Sequence, residues 1–169
     1  MIEIFILSLI QGITEFLPVS SSSHLIIASE YLKLEKSLSI DVSLHLGSFL
    51  AVIVYFNKDV LNFYKNKILF FKIIISSIPV MMVGVILIET NFIEKIRSIE
   101  TIAWTTFIFG IMLFVSDKFK IKKTIDKNFS FKSAIFIGSL QILALIPGVS
   151  RSGIAITAAR FLGFKRVDS

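Results

Sequence analysis

Two polar, serine-rich breaks lie inside apolar segments of this chain. The first runs from Gln11 to His24 and reads Gln-Gly-Ile-Thr-Glu-Phe-Leu-Pro-Val-Ser-Ser-Ser-Ser-His; the second runs from Pro147 to Gly153 and reads Pro-Gly-Val-Ser-Arg-Ser-Gly. Backbone that leaves the helix inside a hydrocarbon layer must be buried in protein or line a wet cavity, because lipid offers it no hydrogen bonds. The breaks therefore restrict the chain to helices folded around a polar interior. Ionisable side chains at that depth carry the same restriction, since each costs roughly 2.5 to 3.5 kcal/mol on the mildest scale unless it is paired or solvated. Glu15, His24 and Arg151 are site candidates on that ground.

The apolar background is clear. Of 169 residues 54% are hydrophobic, above the roughly 45 to 50% of a soluble domain, and the apolar runs cover residues 2–19, 24–32, 42–56, 68–88, 102–116, 133–147 and 154–164. A membrane-spanning helix needs about 20 residues. The first two and last two runs are too short or too interrupted for that and read as re-entrant or broken helices. The three middle runs read as complete spans, with Pro79 tolerated because neighbouring helices can satisfy the carbonyl it frees. The expected fold class is an all-α, multi-pass integral membrane protein.

Charge sets the expected orientation. The net charge is +6, and lysines gather in two connecting segments, Asn57 to Lys72 and Asp117 to Lys132. Lysine-rich loops between apolar spans mark the cytoplasmic side, which places Glu89 to Thr101 outside and makes nucleic-acid binding an unneeded explanation of the charge. Three spans then separate the two breaks, so the second enters from the side opposite the first, as in an inverted-topology repeat. Gln11, Pro18 and Ser20 in the first break are echoed by Gln141, Pro147 and Ser150 in the second. On this reading residues 1–132 form the first repeat, and residues 133–169 begin a second whose three spans are expected beyond this chain. The start, Met-Ile-Glu-Ile-Phe, has an acid where a signal peptide would have basic residues, so the N-terminus is expected to be mature and embedded.

The absence of cysteine leaves hydroxyl, carboxylate, imidazole or bound water as the nucleophiles available. Glu15 follows Gln11 by one helical turn on the same face, which lets both act on one ligand or lets the amide bond across helices. Pro18 ends that helix. Ser20, Ser21, Ser22 and Ser23 then offer hydroxyls and, at a helix start, N–H groups suited to an anion, or simply a cap. His24, beside the serines, suits a base, an acid or an orienting group; His45, alone on an apolar face, reads as structural. In the second break Ser150, Arg151 and Ser152 line the turn opened by Pro147 and Gly148. The guanidinium fork matches a phosphate better than an ammonium does, and Gly148 and Gly153 permit close approach of backbone to ligand. Arg160, Lys165 and Arg166 read as boundary anchors.

At these motifs the chain resembles the undecaprenyl-diphosphate phosphatase family of the bacitracin-resistance type. The likeness is carried by Glu15-Phe-Leu-Pro-Val-Ser-Ser21, His24, Leu46-Gly47-Ser48 and the run from Leu143 to Gly153, and it extends at lower density over the whole chain. It implies an inverted repeat with two re-entrant helix pairs. It also implies Glu15, Ser21, His24 and Arg151 as catalytic or phosphate-binding groups, with Gln11, Ser20, Ser150, Ser152 and Gly148 at the substrate, and a divalent cation, Mg2+ or Ca2+, held by Glu15. Three positions depart from the family pattern: Gln11 stands where a glutamate is usual, Ser23 where a glycine is, and Ala155 where a threonine is. Thr157 lies two residues beyond that last position.

The resemblance implies hydrolysis of a polyprenyl diphosphate lipid to the monophosphate carrier used in cell-wall synthesis, at the bacterial inner membrane, with bacitracin resistance as the physiological correlate. The nucleophile is Ser21 or an activated water; the residues leave both open. A transporter or flippase of an anionic lipid or small anion fits broken helices and a central arginine as well, and an assembly subunit fits a naturally short chain. A homodimer is one assembly open to such a chain.

Overall fold

The computed structural model describes residues 2–34 and 38–166. Its regular elements are helical: α1 (Ile2–Thr14), α2 (Ser21–Tyr31), α3 (Leu38–Tyr55), α4 (Asn57–Lys65), α5 (Lys67–Glu89), α6 (Phe92–Ile96), α7 (Ile99–Ser116), α8 (Ile125–Asn128), α9 (Phe131–Leu140), a 3-10 turn (Gln141–Leu145) and α10 (Arg151–Phe161). The two serine-rich breaks are the α1–α2 and α9–α10 junctions.

Two of the three expected middle spans, α5 and α7, are single helices long and apolar enough to cross a membrane. Pro79 sits inside α5 without ending it. The first expected span differs. Residues 39–55 run on into α4 only through a bend of 80°. The apolar run stops there at Asn57-Lys58-Asp59, and the Asn57 amide donates back to the Val54 carbonyl at 2.8 Å, so α4 leaves along a new axis with its polar groups exposed.

The packing is inverted relative to a soluble protein. Large apolar side chains of α5 and α7, such as Phe71, Met81, Trp104 and Phe107, point outward, while Gln11, Ser23, Ser116 and Thr157 are buried. Lipid accepts the apolar exterior at no cost, so helix association rests on small residues and close contact. Gly138 is the clearest case: a Cβ there would overlap the Ser76 carbonyl, so α9 lies directly on the α5 backbone.

α10 sits centrally, packed on α7, α9 and the 3-10 turn. Its C-terminus is a Schellman motif: Gly163 adopts φ +85°, its N–H reaches the Arg160 carbonyl, and the Phe164 N–H reaches that of Ala159. Arg160, expected at a boundary, is instead 3% exposed. Its guanidinium donates to the carbonyls of Phe164, Asp117 and Phe119, each at 2.8 Å, and its Nε lies 3.4 Å from the Asp117 carboxylate. Arg166, exposed, pairs with the same carboxylate. Arg160 is thus an internal clasp that fixes the end of α10 to the end of α7 and so sets where the other end of α10, beginning at Arg151, must lie.

Candidate active site

The two breaks meet. Between them lies a cavity of about 620 Å³ lined by Glu15, Val19, Ser20, Ser21 and Ser22 from the first break, by Gln141, Ala144 and residues 149–152 from the second, and by His45 and Ala155.

Glu15 is the hub of its polar side. It lies just past the last turn of α1, where its N–H still bonds the Gln11 carbonyl. Its Oε2 accepts from the Ser21 hydroxyl at 2.7 Å and from Gln11 Nε2 at 2.8 Å, and His45 Nδ1 lies 3.3 Å away. Pro18 allows this by turning the chain so that the start of α2 comes back onto the end of α1. Ser20 caps α2 without a side-chain bond to the helix N–H groups, its hydroxyl pairing instead with that of Ser23 at 2.9 Å. The first turn of α2, left without a side-chain cap, lines the cavity at the positive end of the helix dipole.

The second break supplies the cation. Ser150 caps α10 by accepting from the Gly153 N–H at 3.1 Å, and its hydroxyl lies 3.1 Å from that of Ser152. Arg151 follows on the cavity wall, exposed, with no carboxylate partner among the described residues. Two helix N-termini and an uncommitted guanidinium around one polar cavity make a site for an anion rich in oxygen.

Six of the expected site residues, Glu15, Ser20, Ser21, Ser150, Arg151 and Ser152, are brought together on this wall; three are placed otherwise. Gln11 is 1% exposed and does not line the cavity, because its face of α1 packs on α3 and its amide is spent on Glu15 and on His45 Nδ1 at 2.8 Å. His24, half-buried on α2, is not among the lining residues; its Nδ1 lies 2.7 Å from the Ser20 carbonyl and so bears on the shape of the break. Gly148 is absent from the lining of this cavity and packs on α7. With φ +94° it lets the turn press so closely on Ile102 and Thr105 that no Cβ would fit, and Thr105 and Thr106 donate to the carbonyls of Pro147 and Gly148.

Two lining residues escaped the sequence reading. His45, read as structural, stands at the cavity; the signal was Ser48, one turn on, in the resembling run Leu46-Gly47-Ser48. Gln141 lines it too, and its signal was the register that pairs it with Gln11. Of the departures, Ala155 lines the cavity, whereas Thr157 is buried and donates to the Gly153 carbonyl at 2.8 Å, so it does not replace the missing hydroxyl. Ser23 turns its hydroxyl to Ser20, away from Glu15.

A divalent cation finds a sparse set of ligands. Among the described residues no group of three or more histidines, cysteines or carboxylates is arranged for a metal. Glu15 Oε1 has no hydrogen-bond partner among them, and the Ser21 hydroxyl bonds the other oxygen, a set that would suit an ion of the Mg2+ type, which takes one or two carboxylates and completes its shell with phosphate and water.

Helices that cross a membrane, two broken helix pairs and a shared oxyanion-suited cavity define a polytopic membrane protein with an interior polar site. The model of the family described as Bacitracin resistance protein BacA matches residues 4–169, and the chain belongs to that family. Similar proteins include the undecaprenyl-diphosphatase of Pelagibacter ubique, 51% identical over 99% of this chain, that of Jannaschia sp., 43% identical over 96%, and that of Hahella chejuensis, 42% identical over 98%. The chain spans 66% of the length of each of these relatives.

Proposed function

We propose that this protein hydrolyses the terminal phosphate of a polyprenyl diphosphate, releasing inorganic phosphate and the monophosphate carrier lipid for cell-wall synthesis, in the bacterial inner membrane. The observation that carries the reading is the Ser21–Glu15 pair, bonded at 2.7 Å, on the wall of the cavity that also presents Arg151. The relatives' name, undecaprenyl-diphosphatase, agrees with it. In this reading each broken helix pair opens one half of an inverted repeat, and the tips of the two pairs form the site.

The distal phosphate is held by Arg151, the serine hydroxyls and the open N–H groups of α2, while the polyprenyl tail leaves between the apolar helices. Ser21 Oγ attacks the distal phosphorus and gives its proton to Glu15 Oε2. The bond from that phosphorus to the bridging oxygen breaks, and the monophosphate lipid departs. Glu15 passes that proton to the departing monophosphate; water then attacks the phosphoserine, giving a proton to Glu15, which returns it to Ser21 Oγ as the Oγ–P bond breaks and inorganic phosphate leaves. The short Ser21–Glu15 bond favours the serine over a water in the first step. Glu15 would hold a divalent cation, which would supply neutralisation of the charge that develops on the transferring group.

Incubating the purified full-length protein with undecaprenyl diphosphate and measuring inorganic phosphate tests the proposal. Release that disappears in Ser21→Ala supports it. Lipid or anion translocation in sealed vesicles, with no phosphate release, would replace it with transport.

A further inference from the structure

The contacts of His45 assign one more residue to the site, on the reading that the cavity takes a diphosphate. Gln11 Nε2 lies 2.8 Å from Glu15 Oε2, 2.8 Å from His45 Nδ1 and 3.4 Å from Ser48 Oγ. An ionised carboxylate only accepts hydrogen bonds, so the amide must turn its NH2 toward Glu15. Turning the carbonyl there would set two acceptors 2.8 Å apart and bury the NH2 unpaired. The orientation adopted leaves Oε1 as a buried oxygen without a partner among the described residues, the lesser cost. One proton of the NH2 goes to Glu15 and the other points to His45 Nδ1. At 2.8 Å from a donor, Nδ1 must accept, and the proton of the neutral ring then sits on Nε2. The 3.3 Å between Nδ1 and Glu15 is accordingly a neighbourhood set by their shared donor.

The Nε2 edge has no partner among the described residues, and the side chain is 40% exposed on the wall of the cavity. We propose that His45 is a substrate-contacting residue that donates its Nε2–H to a phosphate oxygen, and that Gln11 is the positioning residue that fixes the tautomer required. A bare Nε2 would repel the same oxygen. The glutamine in place of a carboxylate at position 11 thus has a defined effect: a carboxylate would draw the ring proton to Nδ1 and withdraw the donor from the cavity.

The chain has two histidines, so 15N-histidine labelling of the full-length protein in lipid nanodiscs gives a readable spectrum, with His45 assigned from His45→Gln. The expected result is a bare Nδ1 and a protonated Nε2 on His45, a shift of the Nε2–H signal on adding inorganic pyrophosphate, and transfer of the proton to Nδ1 in Gln11→Glu. A proton on Nδ1 in the wild type, or indifference to pyrophosphate, overturns the proposal. This readout needs no turnover, so it can fail while hydrolysis stands, or hold while hydrolysis fails.

Two substitutions separate the roles of the ring. Glutamine can place an N–H near Nε2, whereas asparagine reproduces only the Nδ1 side. His45→Asn is expected to lower kcat/KM for phosphate release about tenfold to hundredfold below His45→Gln, the worth of one hydrogen bond to a charged acceptor. The opposite ranking, or equal losses accompanied by equal losses of thermal stability, would reduce His45 to a packing or Gln11-holding group and overturn the assignment.

Discussion

The Ser21 hydroxyl donates to Glu15 Oε2 at 2.7 Å across the turn that Pro18 makes, six residues apart in sequence. In the proposed mechanism nucleophile and base would thus come from one short segment, brought together where that turn lays α2 against α1. Glu15→Gln keeps the shape but cannot take the serine proton. Phosphate release in this variant is expected to fall by about 10² to 10⁴, the range for a positioned general base, with little change in folding. Steady-state turnover beside a thermal melt checks both parts.

Arg151→Lys retains the charge and loses the planar fork. Because the guanidinium has no carboxylate partner among the described residues, its donors are available to phosphate, and both turnover and affinity are expected to drop, together about tenfold to hundredfold. Near-normal kinetics in the lysine variant would leave Arg151 as a charge only.

The breaks themselves, their helix starts and the anion-suited residues were legible because Pro, Ser and Arg inside apolar runs have few structural excuses. Gly148, expected at the substrate, packs on α7 outside the cavity lining. The sequence marks a backbone that must approach something closely, but whether that is a ligand or Thr105 of α7 depends on tertiary contact. His45 and Arg160 failed the same way, since a lone histidine or arginine in an apolar stretch shows its partner only once Gln11 or the Asp117 and Phe119 carbonyls are in place. The bend at Phe56 was hidden because a length of apolar sequence predicts a span, not its straightness.

Gly148→Ala adds a left-handed residue and a methyl that overlaps Thr105. The two penalties together are expected to cost about 2 to 5 kcal/mol, seen as a large fall in the thermal midpoint in detergent and a loss of the second break's geometry. An unchanged midpoint would mean that the turn relaxes freely away from α7.

Arg160→Leu removes the clasp between α7 and α10. The Phe164, Asp117 and Phe119 carbonyls lose their donor, while the Asp117 carboxylate keeps Arg166, and about 3 to 5 kcal/mol of stability is expected to go with it. Activity should fall by at least the loss of folded fraction, since Arg160, though not in the cavity lining, sets where Arg151 lies.

The positive-inside expectation is tested by single cysteines, which the cysteine-free sequence makes clean. Glu100→Cys should label from outside the cell membrane and Lys127→Cys only after permeabilisation. Labelling of both from one side would remove the topological basis of the inverted repeat.

The central claim is that Ser21 carries the phosphoryl group. Full-length protein incubated briefly with undecaprenyl diphosphate labelled in its distal phosphate, then quenched in acid and mapped by mass spectrometry, measures it directly. Label on Ser21, appearing before free phosphate and absent from Glu15→Gln, is the predicted result. Free phosphate released at the normal rate by Ser21→Ala, with no label on the protein at any time, would contradict it.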